Sequence, residues 1–98
     1  MSDERYAHER ARSRVAQGVG PLRIAQELKE KGVAPETVAA ALQAQGDNWA
    51  ERALAVRVKR FGTEAPGDRL ERARQARFLQ SRGFRYEDIA FAIDTRTT

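Results

Sequence analysis

Leu28-Lys29-Glu30-Lys31-Gly32-Val33 returns 51 residues further along the chain as Leu79-Gln80-Ser81-Arg82-Gly83-Phe84. Each copy closes an apolar-periodic segment with a leucine, places a glycine where a helix end favours a left-handed C′ residue, and follows it with an apolar side chain. The match continues beyond the glycine, because Glu36, Val38, Ala39, Ala41 and Leu42 fall opposite Glu87, Ile89, Ala90, Ala92 and Ile93. One helix–glycine–helix unit, with one set of buried positions, is therefore written twice. Upstream, Glu4-Arg5 and Glu51-Arg52 head comparable helices, and a longer linker at 62–67 takes up the difference. If Gly32 and Gly83 both take left-handed geometry, alanine at either should cost on the order of 1 kcal/mol.

Working outward from this pair, Gly18, Gly20-Pro21, Gly32, Pro35, Gly46-Asp47, Gly62, Pro66-Gly67 and Gly83 divide the chain into six segments of helical length. Nothing between them alternates as a strand would. The expected fold is all-α: two tandem three-helix repeats, 1–46 and 47–98, forming a short elongated solenoid whose repeats cover one another through the long fourth helix.

The first helix should start with Ser2 as N-cap and bury Ala7, Ala11 and Val15, with Tyr6 beside them. Pro21 opens the second, which buries Leu22, Ala25 and Leu28 on one edge and Ile24 on the other; Pro35 opens the third, which buries Val38, Ala41 and Leu42. Asp47 caps the fourth, where Trp49, Ala53 and Val56 recur at helical spacing beside Leu54, Val58 and Phe61. Asp68 caps the fifth, with Leu70, Ala73, Ala76 and Leu79 in register and Phe78 adjacent. The sixth runs from Tyr86, with Glu87 and Asp88 in its first turn, through Ile89, Ala92 and Ile93.

Composition narrows the chemistry. Hydrophobic residues are 41% of 98 and charged residues 33%, so a core must be shared along thin helices, and each half alone would be marginal. With no cysteine, disulfides, thiolate zinc sites and cysteine nucleophiles are excluded. His8 is the only histidine, beside Glu9, and builds neither a standard zinc site nor a nucleophile–base pair. The glycines fall singly at helix ends rather than in a phosphate-cradling loop, so no catalytic residue, cofactor or metal is assigned. No apolar run approaches the ~18 residues of a membrane span, and Met1-Ser2-Asp3-Glu4-Arg5 lacks the core of a signal peptide; a cytoplasmic monomer is expected.

Charge is distributed unevenly. The net charge of +4 arises from 18 Lys and Arg against 14 Asp and Glu, and from Arg52 to Arg85 the only acids are Glu64, Asp68 and Glu71. Arg57 and Arg60 lie three apart, as do Arg74 and Arg77, and Lys59 follows Arg52 by two turns, so the fourth and fifth helices can each present a basic face to phosphate or carboxylate. The competing reading is a solvated arginine surface. Trp49, in register with Ala53 and Val56, reads as core, whereas Tyr86 at a helix start reads as partly exposed. A helix-turn-helix reading of the last two helices fails on its recognition helix, which carries Glu87, Asp88 and Asp94.

The run from Gly20 to Val33 (GPLRIAQELKEKGV), followed by Asp47-Asn48-Trp49, Arg60-Phe61-Gly62 and Arg77-Phe78-Leu79-Gln80-Ser81-Arg82-Gly83-Phe84, resembles the RecX family of RecA regulators. The resemblance covers about Tyr6 to Ile93 and corresponds to the second and third of that family's three helical repeats, the first being absent here. It implies a protein that binds the RecA filament along its groove, lowers ATP hydrolysis and strand exchange, and contacts single-stranded DNA as a second partner. On that reading Arg57, Lys59, Arg60, Arg74 and Arg77 form the face for the anionic partner, while Arg23 and Arg82, inside the matched motifs, serve filament contact or helix-end pairing. The alternatives are a standalone nucleic-acid-binding protein using the same face, and a structural adaptor that dimerises through its terminal faces.

Overall fold

The computed structural model describes residues 3–95. Six helices follow one another with no strand among the described residues: α1 Asp3–Ala16, α2 Pro21–Glu30, α3 Pro35–Gln43, α4 Trp49–Phe61, α5 Arg69–Ser81 and α6 Tyr86–Asp94. The molecule is elongated, 48 × 23 × 18 Å, with a radius of gyration of 14.4 Å against about 13 Å for a compact chain of this length. Every extensive helix–helix contact lies within α1–α3 or within α4–α6, the largest being α4 on α6. The architecture is the expected tandem pair of three-helix repeats.

The ends of the helices explain why the chain breaks where it does. Pro21 and Pro35 occupy first-turn positions where the missing N–H is harmless. Asp68 accepts a hydrogen bond from the Glu71 N–H at 2.8 Å and caps α5. At the C-terminal ends of α2 and α5 the N–H groups of Val33 and Phe84 donate back to the Leu28 and Leu79 carbonyls, at 3.1 and 3.3 Å, across glycines of positive φ. This is the Schellman turn, and it drops Val33 and Phe84 into the core. The N-cap of α4 is Asn48 rather than Asp47, and it makes no side-chain cap bond. The Ser2 cap lies outside the described residues.

The repeated core is observed where the sequence repeats: Leu28 and Leu79 are fully buried, as are Ala41 and Ala92. Several apolar positions depart from expectation. Leu22 is 57% exposed, and α2 buries Pro21, Ile24 and Leu28 instead. Leu70 is 81% exposed and Ala73 is exposed, so α5 turns Gln75 and Leu79 inward. Trp49 is buried, and Tyr86 is exposed. Pairing Glu4-Arg5 with Glu51-Arg52 is one residue out, because the buried positions of α1 and α4 correspond as Ala7 with Ala53 and Ala11 with Arg57.

Arg57 is the largest correction. Placed by sequence on the face toward an anionic partner, it is fully buried. Its Nε donates to the Ala92 carbonyl at 2.7 Å, and its Nη1 donates to the Glu64 carbonyl at 3.1 Å and to Gln75 Oε1 at 3.4 Å. The guanidinium thus satisfies an open carbonyl in the last turn of α6, fastens the linker between α4 and α5, and reaches α5. Where the first repeat has Ala11 and Ile24 in its core, the second has Arg57 and Gln75.

The repeats meet through turns rather than through the breadth of α4. The Gly20 N–H donates to the Arg82 carbonyl at 2.7 Å and the Leu22 N–H to the Gly83 carbonyl at 2.9 Å. Arg23 Nη1 donates to the Ser81 carbonyl at 3.2 Å, and Arg82 Nη2 to the Gln17 carbonyl at 2.9 Å. From α4 itself, Arg52 Nη2 reaches back to the Gln45 carbonyl at 2.6 Å.

The two motif glycines therefore differ in cost. Gly32 has φ +80° and open space around it, and Gly32→Ala should cost about 1 kcal/mol. At Gly83, φ +94°, a Cβ would stand 2.6 Å from the Arg23 amide nitrogen and collide with its Cβ. Gly83→Ala should lower stability at least twice as much in urea melts, and equal losses would refute the close approach. Arg57→Met should cost about 1–3 kcal/mol, because buried acceptors lose their donor; an unchanged midpoint would show that the bonds to α6 and the linker contribute nothing.

Candidate anion-binding groove

The candidate site lies between the C-terminal end of α1 and the α4–α5 pair. Val15, Gly18 and Val19 on one side, and Arg52, Val56, Lys59, Arg60, Phe78, Arg82 and Phe84 on the other, enclose an open groove of about 610 Å3. No aspartate or glutamate lines it. Lys59 and Arg60 are exposed, while Arg52 and Arg82 are half-buried. Among the described residues none of these four cations takes part in an ion pair.

Aromatic rings hold the arginines in place. Phe61 from α4 and Phe78 from α5 meet edge to face, centroids 5.4 Å apart and planes at 90°. The Arg60 guanidinium lies 5.0 Å from the Phe78 centroid, that of Arg82 5.8 Å from the same ring, and that of Arg74 5.2 Å from Phe61. Arg52 stands 4.8 Å over Trp49. A cation on a ring face is ordered by the ring quadrupole yet keeps its full charge.

The first repeat solves the same problem differently. By the correspondence of buried positions, Arg14 of α1 stands where Arg60 stands in α4, and Glu27 of α2 stands where Phe78 stands in α5. Arg14 Nη2 and Nε grip the two Glu27 oxygens at 2.8 and 3.0 Å, and Arg23 and Arg10 approach the same carboxylate at 3.4 and 3.8 Å. The Arg14 hydrogen bond holds the Glu27 carboxyl below the usual carboxylate range; burial opposes the shift, and the charges of Arg14, Arg10 and Arg23 add to it. One repeat thus neutralises its arginine with a carboxylate, and the other leaves it charged against a ring.

The residues singled out from sequence divide accordingly. Lys59, Arg60 and Arg82 come together in the groove. Arg74 is exposed, but it is bound to Glu71 at 3.0 and 3.2 Å, which raises its pKa and lowers that of Glu71. Arg77 is exposed on α5 beside Phe78, outside the groove lining, and has no ion pair among the described residues. Arg23 and Arg82 make the helix-end pairings of the repeat junction, and Arg23 is further opposed by Glu27. Arg57 is in the core. Arg52 was not among the candidates and lines the groove; the readable signal was its place one helical turn after Trp49. The Arg-Phe dipeptides at 60–61 and 77–78 were the signal for the ring pair.

Comparison with known proteins places these repeats. The family model for the second three-helix domain of RecX matches residues 2–42, and the model for the third matches residues 47–93. The chain is similar to the regulatory protein RecX of Halorhodospira halophila, with 45% identity over 92 residues, which are 94% of this chain and 57% of the relative. It is also similar to RecX of Shewanella oneidensis, with 37% identity over 96% of this chain and 85% of the relative. For RecX of Chromohalobacter salexigens the identity is 40%, over 95% of this chain and 60% of the relative. The chain spans about three-fifths of the Halorhodospira and Chromohalobacter proteins. No helix among the described residues is long and apolar enough to cross a membrane.

The Glu27 cluster predicts a pH dependence. A carboxyl whose folded pKa lies below its ordinary value of 4.5 stabilises the fold above that value, and the contribution fades as pH falls through the depressed value. Glu27→Gln should therefore lower stability near neutral pH by on the order of 1 kcal/mol, allowing for its partial exposure. The gap between the two proteins should narrow as the pH falls below the ordinary carboxylate value and close once it has passed the depressed one. A gap that persists unchanged in acid would show that packing, not charge, is what Glu27 supplies.

Proposed function

The chain belongs to the RecX family, and from that membership together with the unneutralised groove we propose that it regulates the RecA recombinase, with inhibitory sign. It binds the RecA filament on single-stranded DNA and lowers ATP hydrolysis and strand exchange in recombination and repair. The observation carrying this reading is the groove, in which Arg52, Lys59, Arg60 and Arg82 converge without a carboxylate on a chain that matches two RecX domains. Such a module needs no chemistry of its own, since a filament is regulated by whichever of its states the bound protein stabilises. An elongated body 48 Å in its longest dimension carries this groove between its two repeats, a shape suited to lying against a filament.

The unpaired cations also favour a second reading, a standalone nucleic-acid binder. One titration separates the two. Adding the protein to RecA on single-stranded DNA should slow ATP hydrolysis at concentrations below those that coat the bare DNA, followed in parallel at the same salt. Lys59→Glu with Arg60→Glu should raise the concentration for half-inhibition by about tenfold or more. Hydrolysis that is unchanged while the protein coats DNA would replace regulation of the filament with nucleic-acid binding. Arg57 is left intact in this test, since reversing a buried charge would unfold the second repeat.

A further inference from the structure

The groove has two textures. Its deep residues are apolar, with Val19 and Phe84 buried and Val15 and Val56 half-buried. Its outer residues are the cations Lys59 and Arg60, flanked by Arg52 and Arg82. Arg52 and Arg82 each spend one Nη2 donor on a backbone carbonyl, of Gln45 and of Gln17, and meet no carboxylate in the groove lining. A nucleic-acid strand would ask for free ring faces on which to stack its bases. Of the groove's aromatics, Phe84 is buried and Phe78 is already engaged by Arg60, Arg82 and the edge contact with Phe61, and Trp49 is buried beneath Arg52.

We propose that this groove docks an acidic segment of the protein partner that also carries apolar side chains. Its carboxylates meet Lys59, Arg60, Arg82 and Arg52, and its apolar side chains settle over Val15 and Val56. Guanidinium forks match carboxylates two bonds at a time, and an apolar floor gives such a segment its anchor. This deepens the regulatory reading and rests on it, placing the groove's contact on the protein side of the filament. Phe78 is the positioning residue. Standing where the first repeat has Glu27, it orders Arg60 and Arg82 without cancelling their charge, so the second repeat is receptive where the first is closed upon itself.

The test uses the full chain and three fluorescein-labelled probes: a helical peptide with leucines on one face flanked by glutamates, a polyglutamate of equal length, and an oligo-dT strand. The amphipathic acidic peptide should bind saturably, and polyglutamate about tenfold or more weakly than it. Phe78→Glu should weaken peptide binding at least tenfold, with its melting temperature followed alongside because the ring also packs against the core and Phe61. Lys59→Glu with Arg60→Glu, both exposed, should do the same and decides the question should Phe78→Glu fail to fold. Oligo-dT binding more tightly than the peptide and lost in the same variants would overturn the proposal in favour of a nucleic-acid groove. Absent peptide binding, or binding indifferent to the variants, would overturn it outright. The regulatory reading fails separately: a parent protein that binds the peptide but leaves RecA hydrolysis unchanged sinks that reading and spares the groove, while variants that lose the peptide yet still inhibit RecA do the reverse.

Discussion

Two main-chain hydrogen bonds, from Gly20 to the Arg82 carbonyl and from Leu22 to the Gly83 carbonyl, set the relation between the two repeats. They require the turn after α5 to lie directly against the entry to α2, closer than any side chain at position 83 would permit. Flanking arginines then fasten the same contact from both directions, Arg23 onto Ser81 and Arg82 onto Gln17. Backbone-to-backbone contact fixes distance more tightly than interdigitating side chains, which can repack. The groove between α1 and α4–α5 is built on this junction, since Gly18, Val19, Arg82 and Phe84 from the joined turns form part of its wall.

Within each repeat the limit is a small core. Three short helices enclose few buried positions, and the second repeat fills two of them with Arg57 and Gln75, which its sibling fills with Ala11 and Ile24. A polar pair in an apolar setting is tolerable only when its donors find acceptors. Arg57 Nε and Nη1 find them in the last turn of α6, the linker carbonyl of Glu64 and Gln75, while Nη2 is left without an acceptor. The linker from Gly62 to Gly67 is thereby tied to the core without an apolar anchor of its own. One of the five basic residues that sequence placed on the partner face is the one that the second repeat folds around.

That mistake shows what the sequence could and could not disclose. Helix number, helix ends and the doubled unit were legible because glycine, proline and aspartate act locally, and because Leu28, Ala41, Leu79 and Ala92 recur at matching positions. The facing of individual helices was less so. An apolar-periodic rule turned Leu22 and Leu70 inward, whereas the structure exposes both and buries Gln75, since burial depends on which neighbour a helix meets. For arginine the rule has least force: its long stem and five donors let the same residue type line a groove at 60, bind a neighbour at 74 or fill a core at 57. Only the positions of Ala92, Gln75 and the linker carbonyl distinguish the last case, and these come from distant parts of the chain.

The duplication also explains why charge gathers in one repeat. Duplicated units begin with equivalent surfaces, so a difference in function must arise where equivalent residues have parted. At the pair Arg14–Glu27 against Arg60–Phe78, both repeats have the arginine, and its partner is a carboxylate in the first and a ring in the second. The ring brings no negative charge to the groove and leaves the arginine ordered, since a cation–π contact costs little desolvation on a surface. An exposed arginine lacking both partners would be charged but mobile, and ordering it on binding would cost side-chain entropy. With the ring in place, Arg60 and Arg82 are both charged and already positioned, which is what a groove for an anionic partner requires and what an arginine-rich surface alone does not provide.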